Sequence, residues 1–147
     1  MFFISHRGNL HGPNPSDENK IEYINNAINH DFEVEVDLWF KNNSYYLGHD
    51  EPQYEVKLEF LKNKKFWLHA KNLECFYELS KYDLNFFWHE EDKIILTSKG
   101  YFWNYPGTLL SNKSICVLPE KSGEKKPKCA GICSDYIKEY YDRYNNI

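Results

Sequence analysis

Imidazoles, carboxylates and a guanidinium stand at the ends of short apolar runs in this sequence. Ser5-His6-Arg7-Gly8 follows Met1 to Ile4, Glu35-Val36-Asp37 closes Phe32 to Val36, and Gly48-His49-Asp50 follows Tyr45 to Leu47. Imidazoles titrate near neutrality, so His6 and His49 on either side of one reacting centre would divide proton transfer. One ring accepts from a nucleophile and the other donates to a leaving oxygen. Arg7 offers the planar fork that binds a phosphoryl group through two hydrogen bonds. Glu35 and Asp37 are two positions apart, which on a strand sends both carboxylates to one face, roughly 6 to 7 Å apart at the backbone. Such a pair repels itself unless a cation intervenes, and a hard divalent ion, Mg²⁺ or Ca²⁺, takes oxygen ligands at that separation. Taken singly, Glu-x-Asp equally fits the wet face of an edge strand, and a lone histidine equally fits a surface position.

These groups need a scaffold that gathers strand ends. Strands are expected at Phe2 to Ser5, Phe32 to Leu38, Tyr45 to Leu47, Phe66 to His69, Phe86 to Trp88, Ile94 to Thr97, Ile115 to Leu118 and Gly131 to Cys133, eight in all. Ser16 or Asp17 can cap a helix over about 17 to 29, whose Ile21, Ile24, Ala27 and Ile28 share a face. Shorter helices fit Leu73 to Leu79 and Tyr136 to Tyr144. Strands interleaved with helices favour a mostly parallel sheet, whose functional groups gather at the carboxyl ends of the strands, where His6, Asp37, His49 and Lys71 lie.

A chain of 147 residues is the size of one domain, 1–147, with 12 Tyr, 10 Phe and 4 Trp to fill its core in place of aliphatics. A net charge of −4 and the lack of a Lys/Arg stripe disfavour a nucleic-acid partner. No apolar run approaches a membrane span, and the opening Met1-Phe2-Phe3-Ile4 is too short for a signal segment, so a cytoplasmic protein is expected. Cys75, Cys116, Cys129 and Cys133 lack paired knuckle spacing and read as reduced, mostly buried thiols.

Together, His6-Arg7-Gly8, Glu18-Asn19, Glu35-Val36-Asp37 and His49-Asp50 resemble, in order and spacing, the motifs of the glycerophosphodiester phosphodiesterase family. That family belongs with the phosphatidylinositol-specific phospholipase C group, and the resemblance runs through residues 4 to 52. It implies an α/β fold of the TIM-like (β/α)₈ barrel type and a metal-assisted phosphodiesterase. His6 and His49 would be acid and base, Arg7 would contact phosphate, Glu18 would brace Arg7, and Glu35 with Asp37 would hold one divalent cation. A later strand of the family usually ends in Glu-x-Lys, where this chain has His69-Ala70-Lys71. Lys71 carries over as a phosphate-binding residue, while His69 replaces the third metal carboxylate. Imidazole nitrogen suits Mn²⁺ or Zn²⁺ better than Ca²⁺, which leaves Mg²⁺, Ca²⁺, Mn²⁺ and Zn²⁺ all open.

Such barrels usually need at least about 200 residues. Here several outer helices must be reduced or missing, and bare sheet sectors would be covered by aromatics or by a second copy in a homodimer. His89 and Glu90, after another strand, either line the substrate pocket or form a surface turn. Lys99 and the aromatic run Tyr101-Phe102-Trp103, leading to Tyr105-Pro106-Gly107, either pack the rim or stack on a sugar. The expected substrate is a small glycerophospho- or glycosyl-phosphodiester, with a cyclic phosphate appearing first if a neighbouring hydroxyl attacks. The alternative is a catalytically silent barrel that binds a phosphorylated sugar or lipid headgroup.

Overall fold

Successive side chains on a strand face opposite ways, and the sheet of this protein uses that alternation to separate two interiors. The computed structural model describes residues 1–147. In β1 (Phe2–His6), β2 (Glu33–Lys41) and β5 (Phe66–Ala70), Val34, Val36, Leu38, Phe66, Leu68 and Ala70 turn outward. They pack against α1 (Ile21–Asn29), α3 (Leu73–Leu79) and α4 (Ile137–Tyr144) through Ile24, Ala27, Cys75, Leu79, Ile137 and Tyr140. The opposite face buries a smaller core of Ile4, Trp67, Phe87, Trp103, Ile115, Val117, Leu118 and Cys133.

The sheet is mixed and contains ten strands. Seven run parallel as consecutive neighbours: β6 (Phe86–Phe87), β5, β2, β1, β10 (Gly131–Ser134), β9 (Ser114–Val117) and β8 (Phe102–Asn104). Antiparallel additions are β3 (Ser44–Leu47) on β2, β4 (Tyr54–Val56) on β3, and β7 (Ile94–Leu96) on β8. A one-turn helix, α2 (Leu58–Leu61), leads into β5. The ladder does not close, since no strand pairing joins β6 to β7 or β8. Ser98 spans that gap, donating from its N–H to the Phe86 carbonyl at 2.9 Å and accepting the Phe86 N–H at its Oγ at 2.8 Å.

Several sequence expectations change. Tyr45 to Leu47 and Ile94 to Thr97 are strands, but antiparallel ones outside the parallel set, and the seventh parallel strand is Phe102–Asn104, from a run expected only to pack or stack. The first helix starts at Ile21 and not near 17. Glu18 and Asn19 are pulled inward by long-range partners, with Asn19 in the left-handed region at φ 65, so the chain cannot coil before Lys20. β2 is no edge strand. It is paired on both sides, and Glu35 and Asp37 are buried. All four cysteines are free, and three of them, Cys75, Cys116 and Cys133, are buried. The β7–β8 sector leaves Ile94, Leu96 and Phe102 exposed. No helix is long and apolar enough to cross a membrane.

Candidate functional site

β2 acts as the ruler of the site. On one edge it pairs with β5, from Val34 opposite Phe66 to Leu38 opposite Ala70. On its other edge β1 ends with His6 opposite Glu35, and β3 returns antiparallel with Leu47 opposite Leu38. The Gly48 N–H then donates to the Asp37 carbonyl at 3.1 Å. β1 rising and β3 descending therefore meet end to end along the same edge, which brings His6 and His49 to one rim. Gly48 makes the exit from β3 at φ 150, and a Cβ there would run into the Glu51 carbonyl oxygen and the Gln53 backbone. Gly48→Ala is expected to lower stability by about 1–3 kcal/mol through that strain and to misplace His49. Urea denaturation with an unchanged midpoint would contradict this geometry.

The same alternation that fills the inner core puts a chemical group two residues beyond five of its eight side chains: His6 after Ile4, His69 after Trp67, His89 after Phe87, Tyr105 after Trp103, and Asp135 after Cys133. These groups open onto one cavity of about 530 Å³. His6, Arg7, Glu18, Glu35, His49, His69, Lys71 and His89 all line it, with Tyr105, Lys121 and Asp135 beside them. Asp37 lies just beneath, fully buried. Glu90 is exposed and outside this group. Of the aromatic run, Trp103 forms part of the cavity wall, while Tyr101 packs edge-on to Phe2 and Trp67.

Asp37 is the most heavily contacted carboxylate. Its Oδ2 lies 2.9 Å from Arg7 Nε and accepts from Asn19 Nδ2 at 2.9 Å, while Asn19 Oδ1 accepts the Asp37 N–H at 3.0 Å. Its Oδ1 lies 3.3 Å from His69 Nδ1 and 4.0 Å from Lys71 Nζ. Burial would push the Asp37 carboxyl up, but the His69 imidazole, Arg7 and Lys71 outweigh it and hold the group well below the usual carboxylate range. Burial likewise opposes charge on His69, and the two carboxylates beside it still raise its pKa. Glu35 Oε2 is 3.8 Å from His69 Nδ1, and one donor atom each of Glu35, Asp37 and His69 falls within a 4.8 Å group. Glu35 Oε1 and Asp37 Oδ1 are buried without a hydrogen-bond partner. Such orphaned carboxylate oxygens are costly unless a cation satisfies them, so the three residues suit a divalent metal ion.

Each rim histidine has its own carboxylate. His6 Nδ1 is 2.7 Å from Asp135 Oδ1 and His49 Nδ1 is 2.7 Å from Asp50 Oδ1, leaving Nε2 of each ring free. Burial disfavours the charged His6 ring, yet the Asp135 bond and the Glu35 charge raise its pKa above the ordinary value, against the opposing charge of Arg7. Glu18 holds Arg7 from the other side, accepting from its Nη1 at 3.2 Å while also accepting from Asn9 Nδ2 and the Asn14 N–H. His89 bonds through Nε2 to the Tyr105 hydroxyl at 2.9 Å and stacks on His69 with centroids 5.1 Å apart. Burial, then the charges of His69 and Lys71, push its pKa down to about 4.

Asp135 was not singled out as a site residue from the sequence, and Tyr105 was expected only to stack on a sugar or pack the rim. Their signal is the two-residue step past a buried inner side chain, visible only once Trp103 and Cys133 are known to face inward. No family model, curated protein or solved structure matches the chain.

Proposed function

We propose that this chain is a phosphodiesterase of the glycerophosphodiester phosphodiesterase type, built on a shortened (β/α)₈-like barrel, that cleaves a small glycerophospho- or glycosyl-phosphodiester. The observation that carries this reading is the convergence of His6, His49, Arg7 and Lys71 with the Glu35–Asp37–His69 triad around one cavity of about 530 Å³. Seven consecutive parallel strands with their chemistry at the carboxyl ends support the barrel. The volume suits a headgroup-sized ligand more than a polymer.

Arg7 and Lys71 bind the phosphoryl oxygens, Arg7 held in aim by Glu18 and Asp37. His49 takes the proton of the attacking hydroxyl or water. His6, whose proton Asp135 secures, donates from Nε2 to the departing alkoxide. Glu35, Asp37 and His69 would hold a divalent ion, which would supply positive charge for the phosphoryl oxygens. That charge matters, because Arg7, Lys71 and Lys121 face four carboxylates, Glu18, Glu35, Asp37 and Asp135. An anionic substrate needs the balance reversed.

The test is a ³¹P NMR time course with metal-supplemented protein over glycerophosphocholine, glycerophosphoinositol and glycosyl-phosphodiesters. A monoester or cyclic phosphate that accumulates in proportion to enzyme supports the reading. Tight binding of the same compounds with no conversion would favour a silent headgroup-binding barrel.

A further inference from the structure

The donor set under the cavity is unlike one built for a hard cation. Ca²⁺ takes about 6–8 oxygens, often with a bidentate carboxylate, and Mg²⁺ requires a near-regular octahedron of oxygens. Here Asp37 has one oxygen already engaged, since its Oδ2 accepts from Asn19 Nδ2 at 2.9 Å and lies 2.9 Å from Arg7 Nε as an ion pair. It offers Oδ1 alone. Glu35 offers Oε1; both oxygens are buried and accept no hydrogen bond, Asp37 Oδ1 having only the looser ion-pair contacts of His69 and Lys71. The third donor is a nitrogen. His69 Nδ1 lies 3.3 Å from Asp37 Oδ1 and 3.8 Å from Glu35 Oε2. Ligands bonded at about 2.1 Å to one ion stand about 3–3.4 Å apart, and the three donors, already within 4.8 Å of one another, would contract to that spacing around a single metal.

The imidazole is also fixed in that orientation. The His69 ring stacks on both Phe87 and His89, with centroids at 4.7 and 5.1 Å and both interplanar angles 21°. Rotating it away from the carboxylates would break both stacks, and its backbone is held in register on β2, with His69 opposite Asp37. The stacks thus hold the ring nitrogen facing the two carboxylates. Lys71 Nζ, 4.0 Å from Asp37 Oδ1, further limits how many water or carboxylate oxygens a large hard ion could gather on that side.

We propose that Glu35, Asp37 and His69 form a two-carboxylate, one-imidazole site for a divalent transition ion, Mn²⁺ or Zn²⁺, in preference to Mg²⁺ or Ca²⁺. The inference rests on the reading above only in taking these three residues as a metal site. It holds whether or not the protein turns over a phosphodiester.

The experiment is isothermal titration of the chelator-stripped full chain with Mn²⁺, Zn²⁺, Mg²⁺ and Ca²⁺ separately, alongside His69→Glu. Wild type is expected to bind Mn²⁺ and Zn²⁺ at one site, and His69→Glu to lose about 100-fold for Zn²⁺ while gaining affinity for Mg²⁺ or Ca²⁺. Since His69→Glu adds a third buried acid and can fail to fold, pulsed EPR of the Mn²⁺-loaded wild type gives an independent reading. Nitrogen hyperfine modulation that changes with ¹⁵N-histidine labelling and disappears in His69→Gln supports the site. Mg²⁺ or Ca²⁺ binding as tightly as Mn²⁺, Zn²⁺ affinity indifferent to His69, or no nitrogen modulation would each overturn it. The ³¹P assay separates the two claims: nitrogen-coordinated metal without turnover sinks the phosphodiesterase reading alone, and turnover with a pure oxygen site sinks this one alone.

Discussion

His6→Ala and His49→Ala are each expected to reduce the proposed phosphodiester turnover by about 10²–10⁴-fold while leaving the protein folded. The loss is large because each ring has one nitrogen bound to a carboxylate and the other free toward the cavity, so no neighbour can take over its proton. The fold survives because His49 is partly exposed, and because Asp135 keeps the Asn9 Nδ2 hydrogen bond at 2.9 Å when His6 is gone. A cost of about 1–3 kcal/mol is expected for His6→Ala and near zero for His49→Ala. Far-UV circular dichroism with urea melts checks the folding, and the ³¹P assay checks the rate. Wild-type turnover in either folded variant would remove that residue from the mechanism.

Asp135→Asn refines this assignment through its pH dependence. Three charged groups act on His6: Asp135 from the end of β10, Glu35 from β2, and Arg7 next in the chain. Asp135 and Glu35 raise its pKa and Arg7 lowers it, so loss of the Asp135 charge lowers it. As the proton donor, His6 must be protonated, and activity declines as pH rises through its pKa. The alkaline limb of kcat/KM therefore moves to lower pH in Asp135→Asn. An acid limb moving instead would mean that His6 is the base, and an unmoved limb would mean that His6 does not set it. The pair also contributes to stability. The depressed Asp135 pKa gives a contribution present above about 4 and lost as pH falls through the folded value. The raised His6 pKa gives one present below about 6.5 and lost as pH rises through the folded value.

Asp37→Ala is expected to be the most damaging single change to stability, at about 3–5 kcal/mol. Asp37 is fully buried and is the common partner of Arg7, Asn19, His69 and Lys71. Removing it leaves a half-buried guanidinium without its nearer carboxylate and deprives Asn19 of the contact that fixes the left-handed turn before α1. Arg7→Ala takes away the opposite charge and is expected to destabilise as well. The double variant falls well short of the sum, since each single change strands the other's charge. Urea unfolding of the two singles and the double measures this coupling. Additive losses would show that the two side chains do not act as a unit.

Much of this was legible in the sequence. Apolar-acidic alternation in Phe32 to Leu38 placed Glu35 and Asp37 on one face, as observed, because strand side chains alternate under local geometry alone. Leu73–Leu79 is the helix its apolar spacing predicted. Six of the eight expected strands belong to the parallel set, and the residues expected to do chemistry share one cavity or, for Asp37, lie beneath it.

What the local pattern could not carry was direction and partnership. Nothing in Tyr45 to Leu47 says whether it continues the parallel set or folds back on β2, and only pairing with Leu38 to Lys41 decides it. The short aromatic segment Phe102–Asn104 has too little alternation to announce a strand, and becomes one because β9 supplies hydrogen-bond partners from distant sequence. Asp135 meets His6 across 129 residues of chain. The early start predicted for α1 was a sound capping inference that lost to long-range demand, since Glu18 and Asn19 have stronger partners in Arg7 and Asp37 than in a first helical turn. Residue type and the two-residue alternation thus determined which side chains are chemically capable and which face they share. The order and register of strands along β2, set by hydrogen bonds between segments far apart in the chain, decided which of those side chains stand within reach of one another.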